Sequence, residues 1–261
     1  MKRLTPIAIG FALSFVATAP AAAHLVAPAR TTASATARRL LPLKETCLSR
    51  AERRRVVRFR ATDGVRLLGV ELGRGPASVV LAHGFRGDLC SWLPQARRLV
   101  RSDYRVLVLD HRNHGSSGSA FGRSRWRVDR DVAAAVMLER RRGARSVVLA
   151  GSSMGATAVL AGAASVSPQP DGVVSLSGPA TFVDVDATAA VARLTAPTLF
   201  EAAEYDDPFD DDARTLYAAS AASEKRLEVL ADAGDHGIRL LRYAAIRAGF
   251  DAFLRAHSGR T

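Results

Sequence analysis

Short apolar blocks alternate with amphipathic stretches along most of the chain. Val56 to Arg60 and Val65 to Leu72 predict two strands joined by a turn at Asp63-Gly64, a strong hairpin dipeptide. Val79 to Ala82, Tyr104 to Leu109, Ser146 to Ala150, Val173 to Ser177, Thr198 to Ala202 and Leu227 to Leu230 are further short apolar runs, each expected as a strand. Helices are expected between them. Ser91 to Arg101 is one. Val128 to Arg142 is another, with Val132, Ala135, Val136 and Leu138 on a buried face. Met154 to Ala164 is Ala-rich and able to pack closely, and His236 onward opens a last helix with Ile238, Leu241, Ala245 and Phe250 inward. This alternation predicts an α/β fold: a mostly parallel, doubly wound sheet with helices on both faces and an antiparallel N-terminal hairpin. Ligands of such sheets sit beyond the carboxyl ends of the strands, so the chemistry is sought directly after each strand.

The chain has 261 residues, 48% of them hydrophobic, and no Pro/Gly/Ser-rich linker divides it, so one domain is expected. Its first residues read as a targeting segment. Lys2 and Arg3 precede the apolar run Ile7 to Val16, and Ala21 and Ala23 have the A-x-A spacing of a cleavage site. A signal peptide over 1–23, cleaved near Ala23, leaves His24 first and implies a secreted or extracytoplasmic protein. Pro6 and Pro20 interrupt the run, which falls short of the roughly 20 residues that span a bilayer. Residues 24–52 have little periodicity and read as an irregular arm; 53–261 hold the folded domain.

The net charge is +12, or +10 once Lys2 and Arg3 are removed. The arginines are spread along the chain. Their densest group, Arg50, Arg53, Arg54 and Arg55, has no interleaved aromatics, which indicates a solvated face and no nucleic-acid partner. Weak association with an anionic cell envelope is compatible with it. Cys47 and Cys90 are the only two cysteines. An oxidising compartment allows them one pairing, free thiols being the alternative. A bridge there would contribute roughly 4 kcal/mol by loop-closure entropy.

The strongest chemical motif is Gly151-Ser152-Ser153-Met154-Gly155, a G-x-S-x-G pattern between a strand and a helix. A serine hydroxyl becomes a useful nucleophile when it is exposed, aimed and placed near a base. A sharp strand-to-helix turn exposes Ser153, and the adjoining helix N-terminus favours negative charge beside it.

At this motif the chain resembles the α/β-hydrolase family, in its serine-esterase and dienelactone-hydrolase-like members, over roughly residues 54–257. The resemblance extends to His83-Gly84-Phe85-Arg86-Gly87, the family's H-G-x-x-G loop, which implies an oxyanion hole made by the backbone N–H groups of Phe85 and Met154. His83 is expected to support that loop. Asp110-His111-Arg112-Asn113-His114-Gly115-Ser116-Ser117 looks like the family's D-x-R-G-x-G-x-S segment, with Asn113 at the usual glycine. Asn tolerates positive φ best among the substitutes. Asp110 and Arg112 are expected to be structural.

The segment Ala203-Glu204-Tyr205-Asp206-Asp207-Pro208 resembles the family's G-x-x-D acid loop, implying Asp206, with Asp207 as its rival. Gly234-Asp235-His236-Gly237 matches the histidine loop, and of the two histidines after the acid His257 lies at the chain's frayed end. The order Ser153, Asp206, His236 is the one this family requires.

These residues imply a serine hydrolase that cleaves carboxylic esters, or related acyl bonds, through an acyl-enzyme on Ser153. An acyltransferase with the same triad is the alternative, and a non-catalytic binding protein the remaining one. Epoxide and haloalkane hydrolysis would need a carboxylate at position 153. No H-E-x-x-H or paired-Cys spacing is present, so no metal and no cofactor is expected. About 20 residues, Gly178 to Ala196, stand where many members insert a helical cap. They predict a small or absent lid, one short helix near Val185 to Leu194, and small or modest soluble esters as substrates.

Overall fold

The computed structural model describes residues 43–259; the expected signal peptide and the arm up to residue 42 lie outside the described residues. Strands β1 (Val56–Arg60) and β2 (Arg66–Leu72) form the hairpin, and β3 (Ala77–Ala82), β4 (Arg105–Asp110), β5 (Ser146–Ser152) and β6 (Gly172–Leu176) follow. The small strands β7 (Thr181–Phe182) and β8 (Val185–Asp186) pair only with each other, and β9 (Thr198–Ala203) and β10 (Lys225–Leu230) complete the set. The main sheet has eight strands in the order β1-β2-β4-β3-β5-β6-β9-β10. β1 and β2 run antiparallel to each other and β2 antiparallel to β4, while every other pair is parallel. The expected sheet is therefore the observed one.

Period-two side-chain alternation divides the core in two. Val79, Leu81, Val106 and Val108 face one side, against α2 (Leu93–Val100), α7 (Ala244–His257) and Leu48 of the arm. Val80, Ala82, Leu107 and Leu109 face the other, against α3 (Val128–Arg141), α4 (Met154–Ala164), α5 (Ala187–Val191) and α6 (Phe209–Ala219). β3 and β5 are buried at every position, which explains their continuous apolar character.

Three local expectations change. The arm closes on one helical turn, α1 (Arg50–Arg53), started by a capping box between Ser49 and Glu52. Helix α6 was not read in the sequence, although Asp210, Asp211 and Asp212 in its first turn complement the helix dipole. The helix expected from His236 is instead a 3₁₀ stretch, Gly237–Arg242, broken by extended backbone at Tyr243 before α7 begins. The reason is tertiary: the N–H groups of Gly237 and Ile238 bond to the hydroxyls of Ser177 and Ser152, which leads the chain away from a helical start.

The arm is bound to the fold. Cys47 and Cys90 form a disulfide, so the single pairing open to them is made. Arg97 holds Glu52 through two 2.8 Å contacts, and Leu48 is buried. No helix among the described residues is long and apolar enough to cross a membrane.

Candidate active site

Ser153 follows β5 and caps α4 with φ 55° and ψ −124°. For a residue with a Cβ this conformation costs about 1–3 kcal/mol and persists only where the surroundings enforce it. They do so closely. The Ser153 N–H donates to Leu176 O of β6 at 2.9 Å, and Ser153 O accepts from Ala156 N–H at 2.7 Å. The turn is tight enough that a Cβ at Gly155 would run into the carbonyl oxygens of Ala82 and His83. This close approach brings the helix start against the end of β3, from which the Phe85 loop departs.

In that loop Gly87 N–H closes a turn on Gly84 O at 3.0 Å, which leaves the Phe85 N–H outside the turn's own bond. Met154 opens α4, where first-turn N–H groups have no intrahelical acceptor. The two N–H groups implied as oxyanion donors thus belong to the start of α4 and to the loop after β3, segments that the close approach of Gly155 to Ala82 and His83 packs together. His83 is fully buried below them. Its Nε2 accepts His111 N–H at 3.1 Å, so Nδ1 carries the proton and donates to Gly84 O at 2.8 Å. Burial, reinforced by repulsion from His111, holds this imidazole neutral, well below the usual histidine range. His83 supports the loop with its ring.

Asp206 is buried in the turn after β9, and His236 Nδ1 lies 3.0 Å from both of its carboxylate oxygens. Asp207 is exposed. Asp235 turns toward Arg239 and Arg242, at 3.4 and 3.3 Å, away from its neighbour's ring. Ser153 and His236 line one cleft of about 410 Å³ together with Gly84, Phe85, Trp92 and Ile238.

Four residues around this constellation were not anticipated. Ser177 Oγ accepts Gly237 N–H at 2.8 Å and Ser152 Oγ accepts Ile238 N–H at 2.9 Å, so two hydroxyls fix the histidine loop. Phe209 packs on the His236 ring at 4.3 Å between centroids. Trp92 donates Nε1–H to Ala82 O at 2.9 Å and walls the cleft. The one available sequence signal is Gly237, whose φ is +59° and whose Cβ would collide with Ser152 Oγ.

Asp110 and Arg112 hold the scaffold, as expected. Arg112 is fully buried between Asp131, at 2.7 and 2.9 Å, and Asp63 of the hairpin turn, at 2.7 Å. Asp110 accepts the N–H groups of Leu89 and Ser116 at 2.8 and 2.9 Å. On the other side of Ser116, Glu45 Oε2 accepts its hydroxyl at 2.6 Å. Burial first, then the adjacent Glu45, push the Asp110 carboxyl up to about 8. Burial works to raise Glu45 as well, but the hydrogen bonds from Asp110 and Ser116 outweigh it and hold Glu45 low. Two adjacent buried carboxyls cannot both ionise cheaply, so Asp110 keeps a proton.

The segment after β6 carries only the β7–β8 pair and α5, with no larger cap among the described residues. Phe182 of that pair meets Phe85 and Trp126, each pair of rings 5.9 Å apart.

Residues 77–244 match the family described as alpha/beta hydrolase fold. An esterase of Pyrococcus furiosus superposes with a TM-score of 0.69 at 17% identity, over 84% of this chain and 98% of that one. An acetyl xylan esterase from Paenibacillus sp. R4 gives 0.65 at 15% identity, over 80% and 87%. At these identities the likeness is one of fold. In sequence, the chain is 34% identical over 139 residues to epoxide hydrolase A of Mycobacterium tuberculosis, a stretch that covers 53% of this chain and only 38% of that protein. With the family match spanning well over half of its length, and the sheet and elbow of that fold in place, the chain belongs to the α/β-hydrolase fold family.

Proposed function

We propose that the protein is a serine hydrolase of carboxylic esters. The observation that carries this reading is one cleft into which a strained Ser153 and an Asp206-bonded His236 both open. His236 Nε2 takes the Ser153 proton as Oγ attacks the ester carbonyl, and Asp206 stabilises the resulting imidazolium. The negative charge passes to the former carbonyl oxygen, where the N–H groups of Phe85 and Met154 receive it; losing one such donor typically costs about 3–4 kcal/mol. The C–O bond then breaks, His236 protonates the departing alcohol, and the acyl group stays on Ser153. Water repeats the sequence in reverse roles and frees the acid.

Epoxide opening on this fold, suggested by the name of one relative, would need a carboxylate at position 153. The serine there supports acyl chemistry instead. The short segment after β6 favours soluble esters of small or modest size. The Cys47–Cys90 bridge supports work in an oxidising compartment, in keeping with the expected leader; a secreted product beginning at His24, read by mass spectrometry, tests that part.

The catalytic reading is tested with p-nitrophenyl esters from acetyl to palmitoyl and with fluorophosphonate labelling. Short-chain turnover and labelling, both lost in Ser153→Ala, are expected. Equal activity in Ser153→Ala would overturn the assignment, and clear preference for long chains at an oil–water interface would overturn the substrate class.

A further inference from the structure

Phe85 borders two recesses. One is the cleft of Ser153 and His236; the other, of about 450 Å³, is lined by Phe85 together with Arg86, Asn113, Phe121, Arg125 and Trp126. Its composition is unusual for solvated surface. Phe121 is 81% exposed and Phe85 48% exposed, although burying such rings is worth a few kcal/mol each. The Arg86 guanidinium lies 5.6 Å from the Phe85 centroid and that of Arg125 5.0 Å from the Trp126 centroid. No carboxylate lines the recess, and among the described residues no ion pair engages either arginine.

The recess is also built. Asn113 stands at φ 64° where the family resemblance leads one to expect glycine. Its amide nitrogen donates to Arg125 O at 2.8 Å and its amide oxygen accepts Ala120 N–H at 2.8 Å. One side chain thereby clamps the loop at two points, beside Phe121 and at Arg125. A glycine would satisfy the backbone there and supply neither bond.

We propose that this recess is a specificity subsite for an anionic aromatic leaving group, a flat ring carried on the ester oxygen with its carboxylate pointing away from the scissile bond. The aromatic walls accept the ring, and the unpaired guanidinium groups offer planar, fork-like donors to the carboxylate. Exposed aromatics beside arginines are the composition that recognition surfaces favour. Phe85 is common to both linings, which sets the subsite directly beside the catalytic cleft. The inference deepens the ester-hydrolase reading and rests on it for the identity of the ligand.

The test compares 4-carboxyphenyl butyrate with neutral 4-acetylphenyl butyrate in wild type, Arg125→Gln and Arg86→Gln/Arg125→Gln. Because each ester is its own reference, differences in leaving group cancel in the ratio between enzymes. The anionic-to-neutral ratio of kcat/KM is expected to fall at least about ten-fold in the double variant, and to fall in wild type as salt screens the charges. In parallel, benzoate is titrated into Ser153→Ala while tryptophan fluorescence is followed. A saturable change is expected, abolished in Trp126→Phe and weakened at least about ten-fold by Arg125→Gln. Equal ratios in wild type and variants would overturn the subsite and leave the hydrolase reading standing. Saturable benzoate binding with no turnover of any ester would keep the subsite and overturn the hydrolase reading. Neither binding nor turnover would overturn both.

Discussion

His236 Nδ1 sits 3.0 Å from each carboxylate oxygen of Asp206, so the acid embraces the ring nitrogen symmetrically. This contact sets the tautomer: with the proton on Nδ1, Nε2 is left as the acceptor that the proposed mechanism requires for the Ser153 proton. Asp206→Asn can hydrogen-bond the ring but offers no charge to an imidazolium. A loss of about 10³–10⁴ in kcat is expected on p-nitrophenyl butyrate. Asp207→Asn, at an exposed position, should stay within about two-fold of wild type. The reverse ranking would move the acid to Asp207.

Ser177 bears on the same histidine from behind. Its hydroxyl satisfies the buried N–H of Gly237, and Ser177→Ala leaves that donor without a partner, at a cost of about 1–3 kcal/mol. The histidine loop should loosen with it. A kcat reduced several-fold at nearly constant KM, with a lower thermal midpoint, is the expected pair of readouts. An unchanged kcat would show that Ser152 alone suffices to hold the loop.

A pH dependence follows from Asp110. Its folded value of about 8 lies above the ordinary carboxylate value of 3.8 that it takes when unfolded. Between these limits the native state binds the extra proton, so this group's contribution is complete below about pH 4 and is lost as pH rises through about 8. Glu139, pushed up to about 7 chiefly by burial, adds a decline of the same sign that ends sooner. The difference in unfolding free energy between wild type and Asp110→Asn isolates the first term. It should shrink steadily between pH 5 and 8 in urea titrations; a difference that does not vary with pH would mean that Asp110 is ionised in the folded protein.

The bridge between Cys47 and Cys90 closes a loop over a sequence separation of 43. Its removal from the unfolded ensemble corresponds to about 4 kcal/mol by loop-closure entropy. Cys47→Ser/Cys90→Ser should lower the urea midpoint accordingly, and a reducing agent should do the same to wild type and leave the double variant unchanged. Identical midpoints with and without reductant would mean that the bridge adds nothing.

Much of this protein is legible in its sequence. The strands could be read because a sheet covered on both faces demands unbroken apolar runs, as in Val147, Val148 and Leu149. Ser153 and His236 could be read because each stands in a short motif whose glycines mark positions of close backbone approach. Asp110 and Arg112 were legible as structural residues only through the segment resemblance, since their partners Leu89, Asp131 and Asp63 lie well away in sequence. Helix α6 was readable in principle from its three opening aspartates, a capping signal that the acid loop beside it obscured.

What the chain alone determined is therefore the local grammar: strand, elbow, chain order and the residue types of the chemistry, all set by interactions within a few positions. Tertiary structure alone sets Asp206 apart from Asp207, since burial beside His236 is a property of two loops 30 residues apart. It likewise turned the expected last helix into a pinned loop, through hydroxyls on Ser152 and Ser177. The recess of Phe85, Arg125 and Trp126 belongs to the same class. Its side chains come from segments with no common pattern, and only the packed backbone brings their charges and rings within reach of one another.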